Sequence, residues 1–210
     1  WHGTALNVTQ VSQLYNNLIL TPNHEFDFRN STGLSFIRDT GSDGTDISAT
    51  FMNDAKGSSD GIILDGVDDY VDVTPWEFGG EAMTVEAYVK LDAASGNNDR
   101  IFGFSESANN NSVTLSAKNH NARFSINNVS PEAQATVYSA DNEISIGAWV
   151  HIVGTVDSSG TLNIYMDGDA QSPAVSLNTT PTKMERNYHY IGSRQGASAN
   201  SVYFEGTISY

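Results

Sequence analysis

The 210-residue chain is 39% hydrophobic and contains no cysteine, so it can bury one core and has neither a disulfide scaffold nor a thiolate metal site. Its 25 acidic residues outnumber the 10 basic ones and give a net charge of −15, which repels nucleic acid phosphates and anionic membrane surfaces. The charge therefore predicts no nucleic acid partner. No apolar run approaches the roughly 20 residues needed to cross a bilayer, so we also expect no membrane insertion.

The start of the chain predicts one short helix. Asn7 and Gln10 have the spacing of a capping box, in which the side chain and backbone groups of two residues bond reciprocally. Val11, Leu14 and Tyr15 follow at the spacing of a single apolar stripe, which is typical of a helix with one buried face.

After Pro22 the pattern indicates strands only. Short β-branched and aromatic runs alternate with clusters of Gly, Asn, Asp and Ser, which is typical of strands joined by turns. Residues 157–160 form a short Gly-containing connection that favours an antiparallel hairpin. About a dozen strands at this spacing predict an all-β fold of two packed antiparallel sheets. The predicted strands are residues 25–28, 61–64, 70–73, 83–91, 100–104, 112–116, 122–126, 135–138, 149–156, 161–166, 189–192 and 202–208.

Several stretches together resemble a known family. They are DGVDDYVD at 65–72, MTVEAYVK at 83–90, and GAWVHIVGTV at 147–156 with LNIYMDG at 162–168. In this order and spacing the set is similar to the laminin G-like jelly roll of the concanavalin A-like lectin/glucanase superfamily, in the type found as repeats in large surface proteins. The resemblance implies a two-sheet antiparallel jelly-roll sandwich with one short N-terminal helix.

The resemblance also implies roles for individual residues. Gly66 supplies backbone freedom in a turn whose aspartate side chains bond turn amides. Trp149 plugs the core, and Asp167 with Gly168 makes the turn after the hairpin. His151, which alternates with apolar neighbours, is interpreted as a sheet-face residue.

Both ends of the chain depart from the family's usual order. Residues 1–6 and the helix resemble the close of such a domain, whereas the C-terminus stops inside the last strand at 206–210. We expect residues 1–20 to be a helical segment from the end of a preceding or the same domain, and residues 21–210 to be a jelly-roll domain with a truncated final strand. One period of a tandem array is the simplest explanation, and a single domain with arbitrary boundaries is the alternative.

Catalytic carboxylates are sparse in the sequence. Glucanases of the resembled superfamily use paired carboxylates at alternating positions of one strand, but the predicted central strand carries only Glu86. Glu25 and Asp27 lack a third acidic residue, and neither a Gly-x-Ser-x-Gly motif nor a zinc-binding histidine spacing is present. We therefore expect no enzyme activity, and a degenerate glycosidase acting through Glu86 or Asp27 is the rival hypothesis.

Calcium is the metal that suits the acidic, Gly-rich loops, because hard cations need clustered oxygen ligands. In many relatives of the resembled family, a structural calcium ion is held by the first strand, the loop after it and the last strand. Carried over to this chain, the ligands are Asp27, Asp39, Asp43 and Asp46, whereas Ser209 stands where the family has a further aspartate. A structural Ca²⁺ ion is thus one expectation, and a solvated turn is the other.

A sugar-binding rim is predicted near the C-terminus. Sugar binding needs aromatic platforms and planar polar groups, and residues 185–200 are polar, aromatic and bounded by loops. The predicted rim consists of Asn187, Tyr188, Tyr190 and Arg194.

Asn-x-Ser/Thr triplets predict glycosylation in a eukaryotic host. A triplet at Asn128 is a poor acceptor because Pro131 follows it directly. The remaining acceptors are Asn7, Asn30, Asn110 and Asn178.

Together these features predict a non-catalytic extracellular module for adhesion or structure on a cell, filament or virion surface. Its expected partners are glycans or proteins on an extracellular surface and neighbouring copies of the same module. The alternative is a carbohydrate-binding module attached to a glycan-active enzyme.

Overall fold

The computed structural model describes residues 1–16, 21–44, 46–93, 98–107, 110–130, 132–140, 144–171, 173–194 and 203–210. Within these ranges the chain forms one helix, α1 (Val8–Tyr15), and 18 strands. In chain order the strands are β1 (Phe36–Arg38), β2 (Ser48–Met52), β3 (Lys56–Gly57), β4 (Ile62–Asp65), β5 (Tyr70–Val73), β6 (Glu77–Phe78), β7 (Met83–Leu91), β8 (Asp99–Ser105), β9 (Ser112–Lys118), β10 (Asn121–Val129), β11 (Glu132–Tyr138), β12 (Trp149–Val156), β13 (Thr161–Met166), β14 (Asp169–Ala170), β15 (Val175–Ser176), β16 (Met184–Glu185), β17 (Tyr188–Ile191) and β18 (Glu205–Ile208).

Antiparallel pairing assembles these strands into two large sheets and one small one. Sheet 1 has the order β1-β2-β5-β17-β8-β9-β10-β11. Sheet 2 has the order β14-β13-β12-β7-β18-β4-β3, with β15 paired to β13, and β16 and β6 form a separate two-stranded sheet. The predicted all-β, two-sheet antiparallel jelly roll with one short N-terminal helix is confirmed.

The core lies between the two large sheets. On β7 the side chains of Val85, Ala87 and Val89 point inward, while the alternate residues 86, 88 and 90 are only half-buried. From sheet 1, Leu115 and Phe124 enter the same cluster of buried apolar side chains. Alternation with a period of two therefore assigns one face of each sheet to the core and the other to the outside.

Helix α1 begins at a capping box, as predicted. The amide of Gln10 donates to Oδ1 of Asn7, and the amide of Asn7 donates to Oε1 of Gln10. Val11 packs against Val153 and Tyr165 on the outer face of sheet 2. No helix in the described part of the chain is long and apolar enough to span a membrane. The division of the chain at residue 20 stays a prediction.

The predicted turns form as expected. Residues 157–160 connect β12 to β13, and Asp167 with Gly168 connects β13 to β14 with both residues at positive φ, which suits a tight antiparallel hairpin. In the turn after β4, Oδ1 of Asp65 accepts the amides of Val67 and Asp68. Aspartate side chains therefore replace backbone partners where the chain reverses.

The prediction of a strand at residues 25–28 is wrong. The carbonyl of Glu25 accepts the Thr40 amide, the amide of Glu25 donates to the Asp39 carboxylate, and the amide of Phe28 donates to the Ser209 carbonyl. Backbone groups that bond to several different segments cannot form a ladder with one neighbouring strand. The last predicted strand, residues 202–208, is also shorter and begins at Glu205.

Candidate functional site

The outward side of sheet 1, here called the polar face, is the surface whose residues best suit ligand binding. Paired positions place one outward row of side chains across all eight strands. Bulky residues occupy the β1 and β17 positions, whereas Gly103 and small hydroxyl residues occupy the middle of the row. From β1 to β11 the row consists of Phe36, Thr50, Asp72, Tyr190, Gly103, Thr114, Ser125 and Thr136.

The middle of the polar face is a recessed floor. Ser105, Thr114, Ser116 and Ser125 point outward yet are buried, because larger side chains stand on both sides of them. Within the described residues, the hydroxyl groups of Ser105 and Ser116 have no hydrogen-bond partner. These small hydroxyl residues therefore form a covered floor beneath the larger side chains of the polar face.

Three tyrosines stand along one side of this floor. Tyr188 and Tyr190 alternate outward on β17 with ring centroids 5.8 Å apart, and Tyr70 on β5 lies 5.0 Å from Tyr190. Burial and the neighbouring Asp72 raise the pKa of Tyr190 to about 12, so its hydroxyl group keeps its proton. The three half-buried rings thus offer an aromatic surface with at least one hydroxyl donor.

Arginines stand beside the floor. Arg100 on β8 and Arg123 on β10 are both paired with Ser116, so they lie in one row with a small residue between them. A methyl group at Gly103 would lie 3.1 Å from Cβ of Arg194, which shows that Arg194 passes directly over Gly103. Three of the ten basic residues of the chain therefore meet on the polar face.

The guanidinium group of Arg100 is desolvated. Its side chain is 6% exposed, and Nε and Nη1 have no hydrogen-bond partner among the residues described. Burial, with repulsion from Arg123 and Arg194, lowers the pKa of Arg100 to about 9, and Asp99 opposes this shift. Arg123, by contrast, donates to Oδ1 of Asn98 at 3.3 Å.

The predicted rim residues are only partly brought together. Tyr188, Tyr190 and Arg194 share the polar face. Asn187 is exposed, and its side chain donates to the carbonyl of Glu106 at 3.0 Å at the end of the same strand. Ligand binding by these four residues stays a prediction.

Arg100 and Arg123 were missed by the sequence reasoning. Arg123 lies between Ala122 and Phe124, and Arg100 lies between Asp99 and Ile101, so each resembles an ordinary outward side chain of a strand. Only the strand pairing shows that they are neighbours. Basic residues inside the strands of so acidic a chain are unusual, and this feature of the sequence could have singled them out.

The outward side of sheet 2 carries a second aromatic group. Trp149 stacks on Tyr88 with ring centroids 4.9 Å apart, and Tyr210 also stacks on Tyr88 with ring centroids 5.8 Å apart. The ammonium group of Lys90 lies over the ring of Trp149. The interpretation of Trp149 as a core plug is therefore wrong. Trp149 pairs with Lys90 in register and shares its outward direction.

Glu86 is bound by two histidines on the outer face of sheet 2. Its carboxylate oxygens lie 3.1 Å from Nε2 of His2 and 2.8 Å from Nε2 of His151, and an ionised carboxylate only accepts, so both rings donate. Burial raises the pKa of Glu86, but the two histidine bonds outweigh it and bring the pKa down to about 2. A carboxyl group with this pKa is ionised at neutral pH and is a poor general acid.

Replacing Glu86 by glutamine is expected to lower the free energy of unfolding by about 1–2 kcal/mol at pH 7, because one charge-assisted bond is lost. The folded pKa lies below the ordinary value of 4.5, so the contribution of Glu86 is complete above pH 4.5 and is lost as the pH falls toward 2. Urea unfolding of both proteins across this range should show a difference that shrinks with acidification. A difference in unfolding free energy that stays constant with pH would contradict the lowered pKa of Glu86.

The four aspartates predicted to bind calcium do not form a shared site. Asp27 is paired with Arg29, and Asp39 accepts the amides of Glu25 and Gly41 while its other oxygen lies 2.6 Å from His24. The side chain of Asn23 donates to Asp43, and Asp46 is exposed at positive φ. In the described ranges, the carboxylates that lie within 4.8 Å of one another are those of Asp65, Asp68 and Asp69. Calcium binding by this chain stays a prediction.

The predicted glycosylation acceptors lie on the surface. Asn128, the acceptor judged poor, is buried, with its amide group bonded to the backbone of Thr180 and Thr182. Glycosylation itself stays a prediction. The exposed acceptors are Asn7, Asn30, Asn110 and Asn178.

A cavity of about 410 Å³ lies near one end of the core. Phe26, Trp76 and Phe104 line it together with other apolar residues of both sheets. Its wall is largely apolar, and Glu86 and Arg29 are among the charged groups that line it.

Comparison with known proteins identifies the fold family of the chain. The family model of the concanavalin A-like lectin/glucanases superfamily matches residues 65–209, whereas no curated protein sequence matches the chain. Among solved structures, domain 4 of an extracellular arabinanase from Geobacillus stearothermophilus, in complex with arabinotriose, is 14% identical with a TM-score of 0.63. The match covers 89% of this chain and 88% of that one.

Two further structures have the same fold. The sialidase module CBM40 of Ruminococcus gnavus, bound to α2,3 sialyllactose, is 12% identical with a TM-score of 0.51 over 61% of this chain and 72% of that one. Domains LG4-5 of the mouse laminin α1 chain are 16% identical with a TM-score of 0.54 over 70% of this chain. This chain spans only 39% of that laminin structure. Since the family model matches more than half of its length, the chain belongs to the concanavalin A-like lectin/glucanases superfamily.

Proposed function

We propose that the chain is a non-catalytic, extracellular module that binds glycans on the polar face of sheet 1. The observation that carries the proposal is the row of Tyr70, Tyr188 and Tyr190 beside a recessed floor of small hydroxyl residues. Aromatic rings pack on the apolar faces of sugar rings, and hydroxyl groups bond sugar hydroxyls, so one surface offers both kinds of contact.

Structures of the same fold support this reading. The arabinanase domain is a complex with arabinotriose and the sialidase module is a complex with sialyllactose, so the fold carries saccharide ligands in two proteins of different origin. Fold likeness alone does not transfer a ligand, so glycan binding by this chain depends on its own side chains.

The absence of a catalytic role is part of the proposal. Glu86, the acidic residue of the central strand, is ionised and bonded to two histidines, so it is not poised to protonate a leaving group. The rival glycosidase hypothesis requires sugar release that disappears in Glu86→Gln or Asp27→Asn.

Two biological settings suit such a module. The first is an adhesion or structural repeat on a cell, filament or virion surface, with neighbouring copies as partners. The second is a carbohydrate-binding module attached to a glycan-active enzyme. The flanking sequence separates them, because the first requires further copies and the second requires a catalytic domain.

Replacing Tyr190 by alanine is expected to weaken glycan binding about tenfold or more, because truncating a central aromatic contact commonly has this effect. A glycan array identifies ligands of the wild-type chain, and isothermal titration calorimetry gives the dissociation constants. Trp149→Ala is the matched control, since Trp149 belongs to the aromatic group on the outward side of the other sheet. Loss of binding in Trp149→Ala with full binding in Tyr190→Ala would move the site to sheet 2.

A further inference from the structure

The proposed glycan site contains more positive charge than a neutral sugar requires. Arg100, Arg123 and Arg194 meet on the polar face of a chain whose net charge is −15. Asp99 is the carboxylate whose charge acts on Arg100 against the repulsion from Arg123 and Arg194. Such a concentration of like charge is unfavourable for the fold unless something compensates it.

Arg100 is the centre of this imbalance. It is buried, and two of its nitrogen atoms have no acceptor among the described residues. A buried donor without a partner costs free energy, and a buried charge costs more. An oxyanion from a ligand would supply both the missing acceptors and the missing negative charge.

The strand order sets the distance between two of these arginines. Arg100 and Arg123 lie on β8 and β10, two strand spacings or about 10 Å apart between their Cα atoms. Ser116 lies between them and is fully buried. Guanidinium groups form planar forks that bind carboxylate and sulfate oxygens in pairs.

We propose, on the basis of the proposed function, that the polar face selects acidic glycans, whose carboxylate or sulfate group binds at Arg100 between Arg123 and Arg194. The tyrosines beside the arginines contact the sugar ring that carries this group. Arg194 belongs to the predicted rim, and Arg100 and Arg123 add the charge that determines which sugars bind.

The test compares matched sugars on one module. A glycan array prints each acidic glycan beside its neutral parent, and calorimetry is done with 3′-sialyllactose, 3′-sulfated lactose and lactose. The wild-type chain should bind the acidic sugars about tenfold or more tightly than lactose, and this preference should fall as sodium chloride is added. The two acidic sugars distinguish a carboxylate from a sulfate as the preferred group.

Arg100→Met is the diagnostic variant, and Arg38→Met is its control. Arg38 points outward at the far end of the same sheet, so its replacement changes the net charge equally without altering the site. Arg100→Met should remove the preference for acidic sugars while its melting temperature rises or stays level, since a desolvated charge is lost. Arg38→Met should leave the preference intact.

The outcomes separate the two proposals. If the chain binds neutral glycans as tightly as their acidic partners, or if Arg100→Met keeps the full preference, the acidic selectivity is wrong and the glycan-binding function stands. If nothing on the array binds, both proposals are overturned. A Tyr190→Ala variant that loses neutral and acidic ligands alike supports the shared site.

Discussion

Replacing Arg186 by methionine is expected to lower the free energy of unfolding by about 3–5 kcal/mol, because it leaves several buried carbonyl groups without a donor. Arg186 has no exposed surface. Its Nε donates to the carbonyl of Asn111, its Nη1 to those of Phe78 and Met184, and its Nη2 to that of Thr182. The guanidinium carbon also lies 4.1 Å from the ring centroid of Phe78.

The effect of Arg186 on the fold follows from what these carbonyls belong to. Phe78 is in β6 and Met184 in β16, which together form the small sheet, and Asn111 directly precedes β9 of sheet 1. One side chain thus fastens the small sheet to the start of β9, an inner strand of sheet 1. Burial lowers the pKa of Arg186 to about 10, so the group stays charged at neutral pH and makes charge-assisted bonds.

Urea unfolding and a thermal melt measure the prediction. The melting temperature of Arg186→Met should fall by roughly 10 °C, and Arg186→Lys should also be destabilised because an ammonium group cannot reach four carbonyls at once. Arg38→Met, at an exposed position, should change the free energy little. A melting temperature of Arg186→Met equal to that of the wild type would show that the small sheet does not depend on this residue.

The sequence was sufficient for features determined by local chemistry. Asn7 and Gln10 make a capping box wherever they precede an apolar stripe, and the turn after β13 needs Asp167 and Gly168 at positive φ whatever surrounds it. The period-two pattern of β7 likewise identifies its inward face before any partner is known.

Features determined by partners were not predictable. The segment at Glu25 has strand-like composition, but Asp39 captures its amide. Trp149 has a core-like composition around it, yet its register against Lys90 turns it outward. The arginine group has no signal in any one segment, because Arg100, Arg123 and Arg194 come from two strands and a loop that only the order of sheet 1 brings together.

Replacing Gly154 by alanine is expected to lower the free energy of unfolding by about 3 kcal/mol through overpacking of the core. Gly154 lies on β12 between Val85 and Ile164, with its missing side chain directed at Phe124 of sheet 1. A methyl group there would lie 2.5 Å from Cγ of the Phe124 ring, and that ring is fully buried. Glycine at position 154 thus allows the Phe124 ring of sheet 1 to pack directly against the backbone of β12.

A double-mutant cycle isolates this contact. Phe124→Leu alone should be destabilised by the loss of buried apolar volume, but the same change in the Gly154→Ala background should cost less or even restore stability, because it opens space for the methyl group. Gly103→Ala is the control for a methyl group outside the core, since its nearest neighbours would be the Ser193 carbonyl oxygen at 3.0 Å and Cβ of Arg194 at 3.1 Å on the outward side of sheet 1. Free energies from urea unfolding that add within experimental error would mean that Gly154 and Phe124 do not touch. Strong coupling between them would establish the packing of sheet 1 on sheet 2 that holds the polar face in place.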